Sequence, residues 1–151
     1  MKKVISIFFI CMALLFPIIL SADQQLTTSD VEAFMASAIK FGKEKGRDAL
    51  FAEIVNPKGP FIKGQLYIAA MSNDIRVIVH GAKPHINGAD MSRLTDKNGV
   101  NIGKAYMEAM ANGNGWCEYY WPNPVTGRIQ KKFGFGARFD KDSWLLTGYY
   151  P

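Results

Sequence analysis

The stretch that decides the fold is Trp116-Cys117-Glu118-Tyr119-Tyr120-Trp121-Pro122-Asn123-Pro124, which is followed closely by Thr126-Gly127. Aromatic residues at this density suit a half-buried strand, where they supply core packing and can also wall a small-molecule pocket. Asn-Pro followed by Thr-Gly is typical of the connection between two strands. The sequence therefore predicts a pair of adjacent strands in the last third of the chain.

Helical and extended patterns alternate along the rest of the chain. The predicted elements, in order, are helices at about 30–43 and 47–55, strands at 65–71 and 75–80, a polar loop at 81–100, a helix at 102–111, and strands at 116–121, 128–139 and 143–149. Ser29 and Glu32 have the spacing of a capping box for the first helix. This order predicts an α+β domain with an antiparallel sheet and helices gathered mainly on one face.

The aromatic motif and the order of elements resemble the single Cache domain, a PAS-like extracytoplasmic sensor module of bacterial chemoreceptors and histidine kinases. The family pattern carried by residues 116–150 is Trp, two residues, Tyr-Tyr-Trp, Asn-Pro, Thr-Gly, a Lys-led strand, and Gly-aromatic-Tyr. The resemblance implies a five-stranded antiparallel sheet with a long N-terminal helix packed along it. It also implies binding of a small organic anion or amino acid, with a short carboxylate as the best candidate.

The same resemblance suggests which side chains contact the ligand. The family lysine falls on Lys132, where a buried cation could hold an anion, whereas the family tyrosine is replaced here by Phe135. Strand alternation separates the aromatic residues into two faces, and the sequence leaves open which face lines a pocket. The predicted ligand-binding residues are Trp116, Tyr119, Tyr120, Trp121 and Lys132, with Tyr67, Arg76 and His80 as further candidates. A solvated strand position is the alternative for Arg76, and a structural role is the alternative for His80.

The N-terminus has the layout of a secretory signal peptide. Lys2 and Lys3 precede an uncharged apolar run that continues to Leu20, and Ser21-Ala22 supplies small residues for cleavage. We expect residues 1–22 to be a signal peptide and residues 23–151 to form one periplasmic domain. The alternative is an uncleaved inner-membrane anchor, because the run is close to the shortest length that spans a bilayer.

Composition and motifs argue against several other classes of protein. The 151 residues carry a net charge of +5, which is too small and too scattered to favour binding of nucleic acid. Cys117 is the only cysteine after the apolar run, so the domain can form no internal disulfide. The sequence has no nucleophile elbow, no Cys–His pair and no metal-ligand spacing. We therefore expect a protein that is not an enzyme and uses no cofactor.

Two main functions remain open from the sequence, with an enzyme that acts on a small anionic metabolite as a third and weaker alternative. The first is a free-standing sensor domain that binds a small ligand and signals to a separate membrane protein, such as a sensor kinase, a chemoreceptor or a transporter. The second is a protein interaction module that fills its pocket with its own side chains and acts as a homodimer through its N-terminal helix or by docking on a partner. Phe135 in place of tyrosine favours the second. A cavity lined by Lys132 and a tyrosine hydroxyl would favour the first.

Overall fold

A computed structural model of the protein describes residues 25–151, and the predicted signal peptide lies outside them. The elements are α1 (Thr28–Lys45), α2 (Arg47–Val55), β1 (Ile62–Lys63), β2 (Leu66–Tyr67), β3 (Ala69–Ser72), β4 (Val77–His80), a 3₁₀ helix (Pro84–Ile86), α3 (Ile102–Ala109), β5 (Asn114–Pro122), β6 (Ile129–Arg138) and β7 (Ser143–Tyr149). Strands β4-β3-β7-β6-β5 form an antiparallel sheet in that order, and β1 and β2 form a separate ribbon. The predicted α+β fold with a five-stranded antiparallel sheet is confirmed.

Helix α1 begins after Thr27, where a reciprocal pair of hydrogen bonds satisfies the first backbone donors. The Thr27 hydroxyl accepts from the backbone N–H of Asp30 at 3.2 Å, and the Asp30 carboxylate accepts from the backbone N–H of Thr27 at 2.8 Å. The predicted capping box of Ser29 and Glu32 is therefore wrong, because the helix starts before Ser29. Glu32 instead accepts a hydrogen bond from the indole N–H of Trp116.

Both faces of the sheet are covered. Helices α1 and α2 pack on one face, where the buried cluster includes Val31, Phe34, Leu50, Phe135 and Leu145. The opposite face carries α3 and the loop at 81–100, and its cluster consists of Met71, Val77, Met91, Ile102, Tyr106, Met110, Tyr119 and Trp144. Two of the three α-helices thus share one face as predicted, and the second layer contains the cavity described below.

Two glycines of β6 allow α3 to lie close to the sheet. A Cβ atom on Gly134 would overlap the hydroxyl of Tyr106, and one on Gly136 would overlap the sulfur of Met110. Both glycines are on the face of β6 that carries Lys132, because alternate residues of a strand point the same way. The absence of side chains at these positions fixes the distance between the C-terminal half of α3 and the strand.

The predicted strand at 65–71 is divided between two sheets. Leu66 and Tyr67 pair with β1, whereas residues 69–72 pair with both β4 and β7. The backbone N–H of Ile68 donates to the carbonyl of Phe61, which turns the chain from the ribbon into the main sheet. Tyr67 is thereby held at the end of the sheet, over the pocket-facing side. Within residues 25–151, no helix combines the length and hydrophobicity needed to cross a membrane.

Candidate functional site

A cavity lies between the sheet, α3 and the loop at 81–100. Its volume, counted as the space open to the centre of a water molecule, is about 30 Å³. That is room for only a few water molecules. The lining residues are Tyr67, Ala69, Ala70, Met71, Val77, His80, Met91, Ile102, Tyr106, Tyr119, Trp121, Lys132, Leu146 and Thr147. The cavity is therefore small, and one end of it is polar and aromatic while the other is apolar.

Lys132 is the charged group of the polar end. It projects from β6 directly opposite Tyr119 of β5, and only 1% of its surface is exposed. Its Nζ atom donates to the hydroxyl of Tyr67 at 2.8 Å and lies 3.9 Å from the centre of that ring. The Tyr150 ring lies 5.3 Å from Nζ on another side. The amine is thus enclosed by aromatic rings and phenol oxygen.

No carboxylate of residues 25–151 forms an ion pair with Lys132. Burial disfavours the charged amine and lowers the pKa of Lys132 to about 7. A buried cation without a counterion is costly, and proteins usually pair such a group or leave it neutral. The cavity beside Lys132 is the place where an anion could supply the missing partner.

His80 is a neutral hydrogen-bond donor at the same end. Its Nδ1 atom accepts from the backbone N–H of Lys83 at 3.0 Å, which places the imidazole proton on Nε2. Burial, with the nearby charges of Lys132 and Lys83, lowers the pKa of His80 to about 3. The ring lies between those of Tyr67 and Trp121, with centroid distances of 4.9 Å and 6.3 Å. The histidine is therefore uncharged and fixed in orientation by its neighbours.

Two tyrosine hydroxyls connect α3 to the sheet across the cavity. The Tyr106 hydroxyl donates to the carbonyl of Thr147 at 3.1 Å, and it lies 2.9 Å from the Tyr119 hydroxyl. Since the single proton of Tyr106 is directed at the carbonyl, Tyr119 is the donor to Tyr106. Burial raises the pKa of both phenols well above the usual value, so both stay neutral.

The opposite end of the cavity is apolar. Met71, Val77 and Leu146 come from the sheet, and Met91 and Ile102 come from the loop and the start of α3. No aspartate or glutamate is among the lining residues. A bound molecule would meet a positive charge at one end and hydrocarbon at the other. Within residues 25–151 no cluster of side chains is suited to a metal ion.

Five of the eight predicted ligand-binding residues line the cavity: Tyr67, His80, Tyr119, Trp121 and Lys132. The sequence did not decide which face of β5 lines the pocket. The structure shows that it is the face with Cys117, Tyr119 and Trp121, which packs with α3. The structure also adds Tyr106, Ile102 and Met91 to the site. Tyr106 and Ile102 are four residues apart on the predicted apolar face of a helix, which is a usable signal, whereas nothing in the sequence singles out Met91.

The other three predicted residues, Trp116, Tyr120 and Arg76, lie away from this cavity. Trp116 points to the opposite face of the sheet, where its ring lies 4.8 Å from that of Phe135. Tyr120 shares that face and carries the ammonium of Lys97 at 3.9 Å from its ring centre. The side chain of Arg76 is 52% exposed and lies near the carboxylates of Asp74 and Asp90, at 3.5 Å and 3.6 Å.

The phenylalanines of β6 do not fill the cavity. Phe135 belongs to the cluster under α1, and Phe133 stacks on Tyr149. Neither lines the cavity, whereas Trp121 does. The site thus combines Lys132 with the hydroxyls of three tyrosines.

Comparison with known proteins places this geometry in a family. Residues 33–150 match the family described as Single Cache domain 2. A methyl-accepting chemotaxis protein from Vibrio parahaemolyticus RIMD 2210633 has a similar structure, with a TM-score of 0.71 at 21% identity over 81% of this chain and 86% of that one. A periplasmic sensor domain of a chemotaxis protein gives 0.64 at 18% identity, covering 81% and 88% of the two chains.

A third similar structure is a Cache chemosensory domain whose description concerns carboxylic acid recognition. It gives a TM-score of 0.61 at 20% identity, over 81% of this chain and 86% of that one. These identities establish a shared fold, and the family match covers most of the chain. The protein therefore belongs to the single Cache domain family of extracytoplasmic sensor modules.

Proposed function

We propose that this protein is an exported sensor domain that binds a short organic carboxylate in the cavity beside Lys132. The observation that carries the proposal is the burial of Lys132 without a carboxylate partner among the described residues, at the edge of an open space. A ligand carboxylate would supply the missing negative charge. Charge-assisted hydrogen bonds of this kind are roughly twice as strong as neutral ones.

The groups around Lys132 suit a carboxylate in particular. Tyr67 accepts from the lysine, so its own hydroxyl proton is available for one ligand oxygen. Small-molecule sites typically combine a few convergent polar groups with an otherwise apolar lining. Met71, Met91 and Ile102 would surround the hydrocarbon part of the acid. The small volume favours acids of two or three carbons.

The family supports a signalling role. Single Cache domains are sensory modules, and one similar structure is described in terms of carboxylic acid recognition. In our proposal residues 1–22 direct export, residues 23–151 form the sensor in the periplasm, and the liganded domain acts on a separate membrane chemoreceptor, kinase or transporter. An uncleaved apolar run would keep the same domain on the same side of the membrane.

The proposal is tested by calorimetric titration of the purified protein with formate, acetate, propionate and butyrate. We expect at least one acid to bind, and Lys132→Met to abolish its binding. Lys131→Met is the matched control, because Lys131 is the adjacent lysine and pairs at the surface with Glu118. It should leave the affinity unchanged.

A second function draws on the small size of the cavity. A domain whose side chains fill most of the pocket could act through protein contacts alone, as a dimer through α1 or as a partner of a membrane protein. Absence of heat or thermal stabilisation with every acid, together with a concentration-dependent dimer in sedimentation analysis, would favour this interaction module over the sensor. Loss of binding in both lysine variants would likewise argue against the assigned anchor.

A further inference from the structure

His80 stands at the polar end of the cavity with a donor that the carboxylate site does not use. The amine of Lys132 and the ring of His80 both contact Tyr67, on the hydroxyl and on the ring face respectively. The histidine is 6% exposed and lines the cavity. Its Nδ1 is occupied by the backbone N–H of Lys83, so Nε2–H, on the far side of the ring, is the remaining polar group.

We propose that His80 is a specificity-determining residue that selects acids with an oxygen on the carbon next to the carboxylate, namely 2-oxo and 2-hydroxy monocarboxylates. This inference rests on the proposed function, because it requires the carboxylate to be bound at Lys132. The ligand carboxylate contacts Lys132 and the Tyr67 hydroxyl, and the neighbouring oxygen accepts from Nε2–H of His80. The remaining carbon lies against the apolar end of the cavity.

The fixed protonation of His80 makes it a selective group. An imidazole with Nδ1 accepting can only donate from Nε2, so it favours an acceptor oxygen and has no lone pair for an ammonium group. The hydrogen bond from Lys83 and the neighbouring rings of Tyr67 and Trp121 hold the His80 ring in this orientation. A ligand without an acceptor at this position would leave a buried donor unsatisfied.

The lining also disfavours two related classes of acid. An amino acid would bring an ammonium group into a cavity whose lining contains no aspartate or glutamate. A dicarboxylate would place its second charge among Met71, Met91 and Ile102, and Lys132 is the only lysine or arginine among the lining residues. Both classes would have to bury a charge without a partner.

A matched set of three-carbon acids tests the inference, with the purified protein titrated by calorimetry. We expect pyruvate and lactate to bind about tenfold more tightly than propionate, which corresponds to one net hydrogen bond. Alanine and malonate should bind more weakly than propionate. In His80→Leu the ratio of the propionate dissociation constant to those of pyruvate and lactate should fall to about one, and His80→Gln, which keeps an N–H donor, should restore part of the preference.

Several outcomes separate this inference from the proposed function. Equal affinity for propionate, lactate and pyruvate in the unmodified protein overturns the role of His80 and leaves the carboxylate site standing. The same conclusion follows if the preference survives in His80→Leu, or if alanine or malonate binds best. If none of the five acids binds but formate or acetate does, the inference fails and the carboxylate site stands, whereas the proposed function fails as well only if no acid of either set binds. The comparison of acids in the unmodified protein remains decisive even if a variant does not fold.

Discussion

The amine of Lys132 donates to the hydroxyl of Tyr67 at 2.8 Å, and this bond joins β6 of the main sheet to the β1-β2 ribbon. A buried lysine usually forms an ion pair with a carboxylate, whereas the neighbours of the Lys132 amine are phenol rings and a phenol oxygen. The charge state of one amine therefore influences both the stability of the domain and its affinity for an anion.

The affinity for a carboxylate should depend on pH through Lys132. The pKa of Lys132 in the free protein is about 7, so above that pH the amine is mostly neutral and must take up a proton when an anion binds. We expect the dissociation constant to be nearly constant from pH 5.5 to 6.5 and to rise by up to tenfold per pH unit above about pH 7. Calorimetry at pH 8 in buffers of different ionisation enthalpy should report uptake of a proton. A flat affinity from pH 6 to 9 would contradict the buried amine as the anchor.

Replacement of Lys132 by methionine should change how folding stability varies with pH. The pKa of Lys132 is lowered from 10.5 to about 7, so between these values the unfolded chain binds a proton that the folded chain does not. As the pH increases from about 7 to 10.5, the free energy of unfolding of the native protein should therefore increase relative to that of Lys132→Met. The increase should be several kcal/mol at most. Urea unfolding of both proteins at pH 6.5 and pH 9.5 measures the difference. Lys131→Met keeps the buried Lys132, so its free energy of unfolding should rise with pH as it does in the native protein.

His80 should make the domain sensitive to acid. Its pKa is lowered from 6.5 to about 3, so the folded state resists protonation while the unfolded state accepts it. The associated stability is fully present above pH 6.5 and is lost as the pH falls toward 3. In His80→Phe this part of the acid dependence should be absent, which can be measured as the change in melting temperature between pH 7 and pH 4. If the melting temperature of His80→Phe falls as steeply between pH 7 and pH 4, the acid sensitivity comes from aspartate and glutamate side chains instead of His80.

Gly134→Ala should disturb both the fold and the site. The added methyl would overlap the Tyr106 hydroxyl and come within 2.7 Å of Cε1 of Tyr119. Overpacking of this kind typically costs about 1–3 kcal/mol. Tyr106→Phe removes the overlapping oxygen, so the double variant should be less unstable than the sum of the two single changes. Chemical denaturation of the four proteins measures this coupling, and strict additivity would argue against the contact.

The sequence predicts most of the fold because its local signals agree with one another. The bounds predicted for α2 and β7 match Arg47–Val55 and Ser143–Tyr149 as found. The polar loop predicted at 81–100 ends in a turn before α3, where the Asp96 carboxylate accepts from the backbone N–H groups of Asn98 and Val100. Turn chemistry and strand alternation act within a few residues, so they can be recognised without tertiary information.

The site was harder to predict because the sheet is buried on both faces. When only one face is buried, alternation separates core from surface, but here both sides of β5 carry aromatic residues. Trp116 and Tyr119 consequently look equivalent in sequence, although α1 covers the former and α3 covers the latter. Arg76 was misplaced for a different reason. The loop at 81–100 brings Asp90 beside Arg76, and a contact between residues so far apart in sequence cannot be recognised from local patterns.

The replacement of the family tyrosine by Phe135 also has a different meaning in three dimensions. Phe135 is three residues beyond Lys132, so it points to the opposite face and packs with Trp116 under α1. Its missing hydroxyl removes nothing from the cavity, where Tyr67, Tyr106 and Tyr119 supply the phenols. The presence of Phe135 in place of tyrosine therefore gives no support to a pocket filled by the domain's own side chains.

The close contact of α3 with Gly134 and Gly136 determines where this site could be re-engineered. There is no free space between the sheet and the C-terminal half of the helix, so larger side chains there would push the helix away from the sheet. Space for a longer acid has to come from Met91 and Ile102, which contribute flexible or truncatable hydrocarbon at the other end. A biosensor for larger carboxylates would accordingly start from shortened side chains at these two positions and keep Lys132, Tyr67 and both glycines unchanged.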